Sequence, residues 1–131
     1  MRETDFGYVK LLRGVNLPAA EEKVAAALKQ EGFGVLTRID VREALKEKLG
    51  VDFKPYVILG ACNPSLAHRA LSQDETIGLL LPCNVVLSQS DAGTEVALAR
   101  PKAMFRFVDD PALAPLAEEA EAKIARVFAS L

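Results

Sequence analysis

Polar and apolar positions alternate from Phe6 to Arg13, with Tyr8, Lys10 and Leu12 on one side, Val9, Leu11 and Arg13 on the other, and Gly14 ending the run. A period of two predicts a strand, and its charged members predict that the strand is partly exposed. Pro18 then opens a stretch in which Ala20, Val24, Ala27 and Leu28 recur at helical spacing. Glu21, Glu22, Lys29 and Glu31 fall on the opposite side and Gly32 closes it, the pattern of an amphipathic helix with proline in its first turn.

Phe33 to Ile39 reads as a second strand, and Asp40 is placed to cap a short helix, Val41 to Leu49, whose Val41, Ala44, Leu45 and Lys48 share a face before Gly50 stops it. Tyr56 to Ala61 is apolar at every position, which predicts a strand covered on both sides. Asn63-Pro64 pairs an N-cap residue with a first-turn proline and starts a helix to about Ser72. Its inner face is Leu66, Ala67, Ala70 and Leu71; Ser65, His68, Arg69 and Ser72 face water.

Ile77 to Leu81 fits either a helix end or a strand. Asn84 to Gln89 and Thr94 to Arg100 flank Ser90-Asp91-Ala92-Gly93, a turn composition that predicts an antiparallel hairpin. Met104 to Val108 reads as a further short strand, and Asp109-Asp110-Pro111 opens a last helical stretch restarted at Pro115. Leu116, Ala120, Ile124, Val127, Phe128 and Leu131 form a long apolar stripe along it. Strands and helices alternate early, but the hairpin argues against a purely parallel sheet, so the class is α+β.

Composition narrows this picture. The chain has 131 residues, half of them apolar, which suits a single domain spanning 1–131 with one sizeable core. Sixteen basic residues against 18 acidic ones leave a formal charge of −2, so no net field draws the chain to nucleic acid or to an anionic membrane. The stretch Met1-Arg2-Glu3-Thr4-Asp5 carries three charges and lacks the apolar run of a signal peptide, and the uncharged run Thr76 to Ser90 is too short and too interrupted to span a bilayer. The expectation is a cytoplasmic protein whose Cys62 and Cys83 are free thiols.

Chemistry concentrates in Leu59-Gly60-Ala61-Cys62-Asn63-Pro64, which puts a thiol between a buried strand and a helix start. Helix amides and the macrodipole favour a thiolate there, and small residues let a ligand approach the backbone. The simpler reading is a small buried cysteine ahead of a capped helix. His68 would sit one turn on, and a Cys62–His68 dyad is conceivable, although an exposed helix histidine fits its polar face better. One histidine rules out a His-rich metal site, and no metal site is assigned.

Pro82-Cys83-Asn84 repeats the Cys-Asn pair ahead of the hairpin. Across one cleft the two thiols would form a redox pair or hold a soft metal; apart, they are two unrelated buried thiols. Sequence leaves their separation open. No dinucleotide fingerprint or phosphate loop is present. Glu95 with Arg100, and Asp109-Asp110, are conceivable acid and base groups, yet strand-surface charge and helix capping explain them.

The segments 32–41, Gly32-Phe33-Gly34-Val35-Leu36-Thr37-Arg38-Ile39-Asp40-Val41, then Leu59 to Pro64, then Gly78-Leu79-Leu80-Leu81-Pro82-Cys83-Asn84-Val85, resemble in their order an uncharacterised bacterial and archaeal group, the domain-of-unknown-function family 302. The resemblance implies a curved, largely antiparallel sheet with helices packed on it, similar to the TATA-binding-protein layout, and a dimer. It supplies no catalytic residues, and such a fold does not by itself carry nucleic-acid binding.

Three readings follow. The first is a small-ligand binding or sensing module, for an anion or a mixed apolar ligand, with its pocket at Gly60, Cys62, Asn63, Pro64, Cys83 and Asn84. The second is a thiol redox protein or enzyme using Cys62 and Cys83; the third is a non-enzymatic assembly scaffold. The cofactor, if any, is left open by the sequence. The apolar content, positive mean hydropathy and terminal stripe predict a homodimer in which the partner buries a strand edge or part of the stripe ending at Ile124, Val127, Phe128 and Leu131.

Overall fold

The computed structural model describes residues 2–131, with side chains described from Thr4 onward; Met1, at the head of the charged stretch noted above, lies outside the described residues. The elements follow in the order β1 (Arg2–Glu3), β2 (Gly7–Arg13), α1 (Leu17–Gln30), β3 (Gly34–Asp40), α2 (Val41–Leu49), β4 (Tyr56–Cys62) and α3 (Pro64–Gln73). A 3-10 segment (Glu75–Leu80), β5 (Cys83–Ser90), β6 (Gly93–Ala99), α4 (Pro101–Met104) and α5 (Ala114–Ala129) complete the chain. The strands form one open antiparallel sheet in the order β1-β2-β6-β5-β4-β3, with helices packed on it, the α+β class that the patterning predicts.

Local chemistry explains most boundaries. The Asn16 side chain accepts from the Ala19 N–H at 2.9 Å and Asp40 from the Glu43 N–H at 2.9 Å, capping α1 and α2. Gly50 ends α2 in the left-handed conformation, with φ +67°. The β5–β6 hairpin closes on Asp91-Ala92 with Ser90 opposite Gly93. A side chain at Gly93 would meet the Leu12 carbonyl oxygen at 2.1 Å, so only glycine lets β2 pass the turn so closely.

The main core lies between one sheet face and the helices α1 and α5. Leu12, Val57, Leu59, Ala61, Val85, Leu87, Val96 and Leu98 from the strands meet Ala20, Val24, Ala27 and Leu28 from α1 and Ile124, Val127 and Phe128 from α5. Two expectations are corrected here. The terminal stripe is not a subunit interface: Ile124, Val127 and Phe128 are at most 1% exposed within this core, and Leu131 packs against it. Tyr56 to Ala61 is not covered on both sides either, because Ile58, Val86 and Ala97, level with one another on the opposite face, stay only half-buried.

A second, smaller core forms beyond the sheet end. Leu66 and Ala70 of α3, Ile77 of the 3-10 segment, Leu113, and Leu116 and Ala120 of α5 cluster there, backed by Leu80, Leu81, Phe105 and Val108. Met104 to Val108 is therefore not a strand. Pro101 opens the single helical turn of α4, the Phe105 N–H bonds back to the Pro101 carbonyl at 3.0 Å, and the segment folds over the small core instead of joining the sheet. The ambiguous Ile77 to Leu81 run resolves as the end of the 3-10 segment followed by the extended approach to β5.

Candidate functional site

The seam between the two cores is not filled. Phe33 and Ala61 of the main core face Leu66, Ala70, Leu116 and Ala120 of the small one across a cavity of about 40 Å³. Cys62 enters its wall from the end of β4, Cys83 from the start of β5, and Met104 and Phe105 from α4 and the turn after it. The sheet brings the cysteines together. In the β4–β5 register Ala61 lies opposite Cys83, so Cys62 is one residue beyond that pair.

Both cysteines are thiols in this structure, each half-buried. Burial, reinforced by the nearby Cys62 charge, pushes the Cys83 thiol up to about 11. Apolar surroundings disfavour a thiolate and a second sulfur anion disfavours it further, so Cys83 is neutral at physiological pH.

Asn63 is buried at the same place, but its amide is engaged. Its oxygen accepts from the Leu66 N–H at 3.2 Å, capping α3, while its nitrogen donates to the Glu31 carbonyl at 3.2 Å. It thus ties the start of α3 to the end of α1, where a side chain at Gly32 would come within 3.1 Å of that nitrogen. With an amide already on the cap, an anion seated at this helix start has less to bind than the sequence suggests.

The family model for DUF302, a domain of unknown function, matches residues 9–131. This chain belongs to the DUF302 family. Its structure is similar to the crystal structure of an uncharacterised conserved DUF302 protein from Bacillus stearothermophilus, with a TM-score of 0.85 and 36% identity, covering 95% of this chain and 97% of that one. No curated protein matches the chain.

Not every residue singled out from sequence reaches the cavity of this DUF302 domain. Cys62, Asn63 and Cys83 line it, whereas Gly60, Pro64 and Asn84 lie outside its lining. Gly60 instead admits its neighbours: a side chain there would meet Thr37 Oγ1 at 2.2 Å and Pro82 Cγ at 2.7 Å. Pro64 occupies the first turn of α3, and Asn84 borders a broad groove of about 560 Å³ over the sheet face away from α1 and α5. That groove is the larger concavity, but the seam is where the sequence-distant Cys62 and Cys83 meet. His68 is exposed on α3 and takes no part in the lining, so the structure forms no Cys62–His68 dyad.

The acid and base groups considered from sequence are arranged differently. Arg100 Nε donates to Glu121 at 3.1 Å, and Glu121 also accepts from the Lys102 N–H at 3.2 Å and from the Tyr8 hydroxyl. Tyr8 stacks on Phe128 with centroids 5.5 Å apart and carries Arg100 over its ring. Sequence reading passed over Glu121 because it sits inside the α5 apolar stripe. A carboxylate interrupting such a stripe was the available signal. Glu121 is buried and its partners Tyr8 and Arg100 half-buried, and the internally matched cluster locks β2 to α5. Asp110 accepts from the Ala112 N–H at 2.9 Å, a turn bond of the capping kind.

Proposed function

We propose that this DUF302 domain is a single-domain binding or sensing module for a ligand of very few heavy atoms, held in the cavity between its two cores. The observation that carries the reading is the convergence of Cys62, from the end of β4, and Cys83, from the start of β5, on one apolar cavity beside the Asn63 cap. Its volume sets the ligand class. Pockets for ordinary metabolites run to about 300–1,000 Å³, whereas this one, at about 40 Å³, takes an ion, a diatomic or a few waters.

Xenon tests the void without assuming the ligand's chemistry. Under xenon pressure the methyl resonances of Ala67, Ala70 and Ala120 should shift, while those of Ala20 in the main core should not. Uniform or absent shifts would overturn the reading. A redox role for the thiols draws less support, since a Cys83 held near 11 is a poor resolving thiolate.

A homodimer is the second reading, carried by the contrast between the sheet's edges. One edge is the two-residue β1; the other is the seven-residue β3, with Leu36 69% and Ile39 50% exposed. Long apolar edges are templates for another strand. A bulge between Val35 and Thr37 bends β3, leaving Thr37 to Asp40 as the regular part. Antiparallel pairing about Ile39 sets each Arg38 across from the partner's Asp40, an attractive arrangement. Sedimentation at micromolar concentration should show a dimer that Ile39→Lys converts to a folded monomer; a wild-type monomer rejects this reading.

A further inference from the structure

The cavity wall is rich in sulfur. Cys62, Cys83 and Met104 all line it, which is both cysteines of the chain and one of its two methionines. Among the described residues of the lining, Asn63 alone has a side chain with nitrogen or oxygen, and both ends of its amide are bonded. What the side chains offer a ligand is therefore soft donors in an apolar wall, at the junction of β4, β5 and α4.

We propose that Cys62, Cys83 and Met104 form a site for a soft monovalent cation, Cu(I) or its chemical analogue Ag(I). The proposal rests on the cavity reading above and names its ligand. Thiolate and thioether donors select such ions, which accept two or three sulfur ligands, whereas zinc takes four ligands, commonly including imidazole. The one histidine of this chain, His68, is exposed on α3 and outside the lining. Volume agrees: at about 40 Å³ the space suits a single ion and is too small for a chelating metabolite.

Electrostatics supply the driving force. Two thiolates converging on one apolar cavity would repel, and a cation seated between them removes that penalty. On binding, each cysteine forms a sulfur–metal bond and releases its proton to solvent, while Met104 donates a lone pair and loses nothing. The ion enters and remains monovalent, so no electron is transferred. Two protons leave for each ion bound.

The test uses the full chain, reduced and anaerobic, titrated with Cu(I) against a bathocuproine competitor and separately with Ag(I). One equivalent of Cu(I) should be withdrawn, with a near-ultraviolet thiolate-to-metal band and release of two protons. Cys62→Ser and Cys83→Ser should each weaken binding by more than the roughly 10–100-fold that loss of an outer-shell partner costs. Met104→Leu, which keeps side-chain volume and the fold, should weaken it by about tenfold without removing the band. Failure to compete for Cu(I), equal affinity for Zn(II), or an unchanged affinity in Met104→Leu would each overturn the site. The xenon experiment keeps the two readings apart: xenon shifts without Cu(I) or Ag(I) binding remove the cation and leave the cavity, and the loss of both removes both.

Discussion

The two cores of this domain are filled to different standards. In the sheet-backed core, Leu28, Leu87, Leu98, Phe128 and Val96 are completely buried, and large strand residues meet large helix residues. The small core beyond the sheet end relies on Ala70 and Ala120 beside Leu66, Leu113 and Leu116, and leaves space where it abuts Ala61 and Phe33. Close packing is the rule in protein interiors, so a cavity with two thiols at its wall marks where the packing of this domain is least complete.

Breaking the main core should have the largest effect. Phe128→Ala removes a fully buried ring that stacks on Tyr8, and should cost about 3–5 kcal/mol in denaturant unfolding. Leu116→Ala, beside the void, should fall near the lower end of the range for such truncations, about 2 kcal/mol. Equal losses would mean that the cores are packed alike.

Alkaline titration comes next. Cys83 in the folded state is pushed up to about 11, above the ordinary thiol value of 9.0, so between these limits the unfolded chain has lost a proton that the native state keeps. Stability is therefore fully present below pH 9 and declines as pH rises through 11, by roughly 2–3 kcal/mol for a shift of this size. Unfolding curves from pH 8 to 11 should show this loss, and Cys83→Ala should abolish it. An alkaline limb that persists in Cys83→Ala would assign it to another group.

A matched pair of substitutions sharpens the comparison further. Ala20→Val places two methyl groups into a site with 0% exposure in the main core and should cost about 1–3 kcal/mol. Ala70→Val makes the same change facing the void, should stay within about 1 kcal/mol of the parent, and should suppress the xenon response. Asn63→Ala, which loses the α3 cap and the bond to the Glu31 carbonyl, should cost about 0.5–2 kcal/mol, less than breaking the main core. It should leave the void accessible, because this amide holds the helices in place and does not present a ligand.

What the sequence by itself determined is what local chemistry can encode. The α1 stripe of Ala20, Val24, Ala27 and Leu28 is buried as its spacing requires, Asp40 and Asn63 cap the helices that follow them, Gly50 stops α2, and the Ser90–Gly93 turn closes the hairpin. Each of these depends on residues within a few positions of one another. The motif around Cys62 was legible in the same way, as a strand ending on a capped helix.

Only the tertiary structure decided what those elements face. The terminal stripe predicts an apolar partner, and the chain supplies that partner itself in the sheet. Glu121 finds Tyr8 from 113 positions away, beyond any periodic signal. Met104 to Val108 has a strand's composition, yet the start of α4 at Pro101 and the small core beneath Phe105 and Val108 direct it elsewhere. The cavity is the clearest case. Cys62 and Cys83 share it because the β4–β5 register sets Ala61 opposite Cys83, and a register is chosen by burial across the whole sheet, which no local stretch of sequence contains.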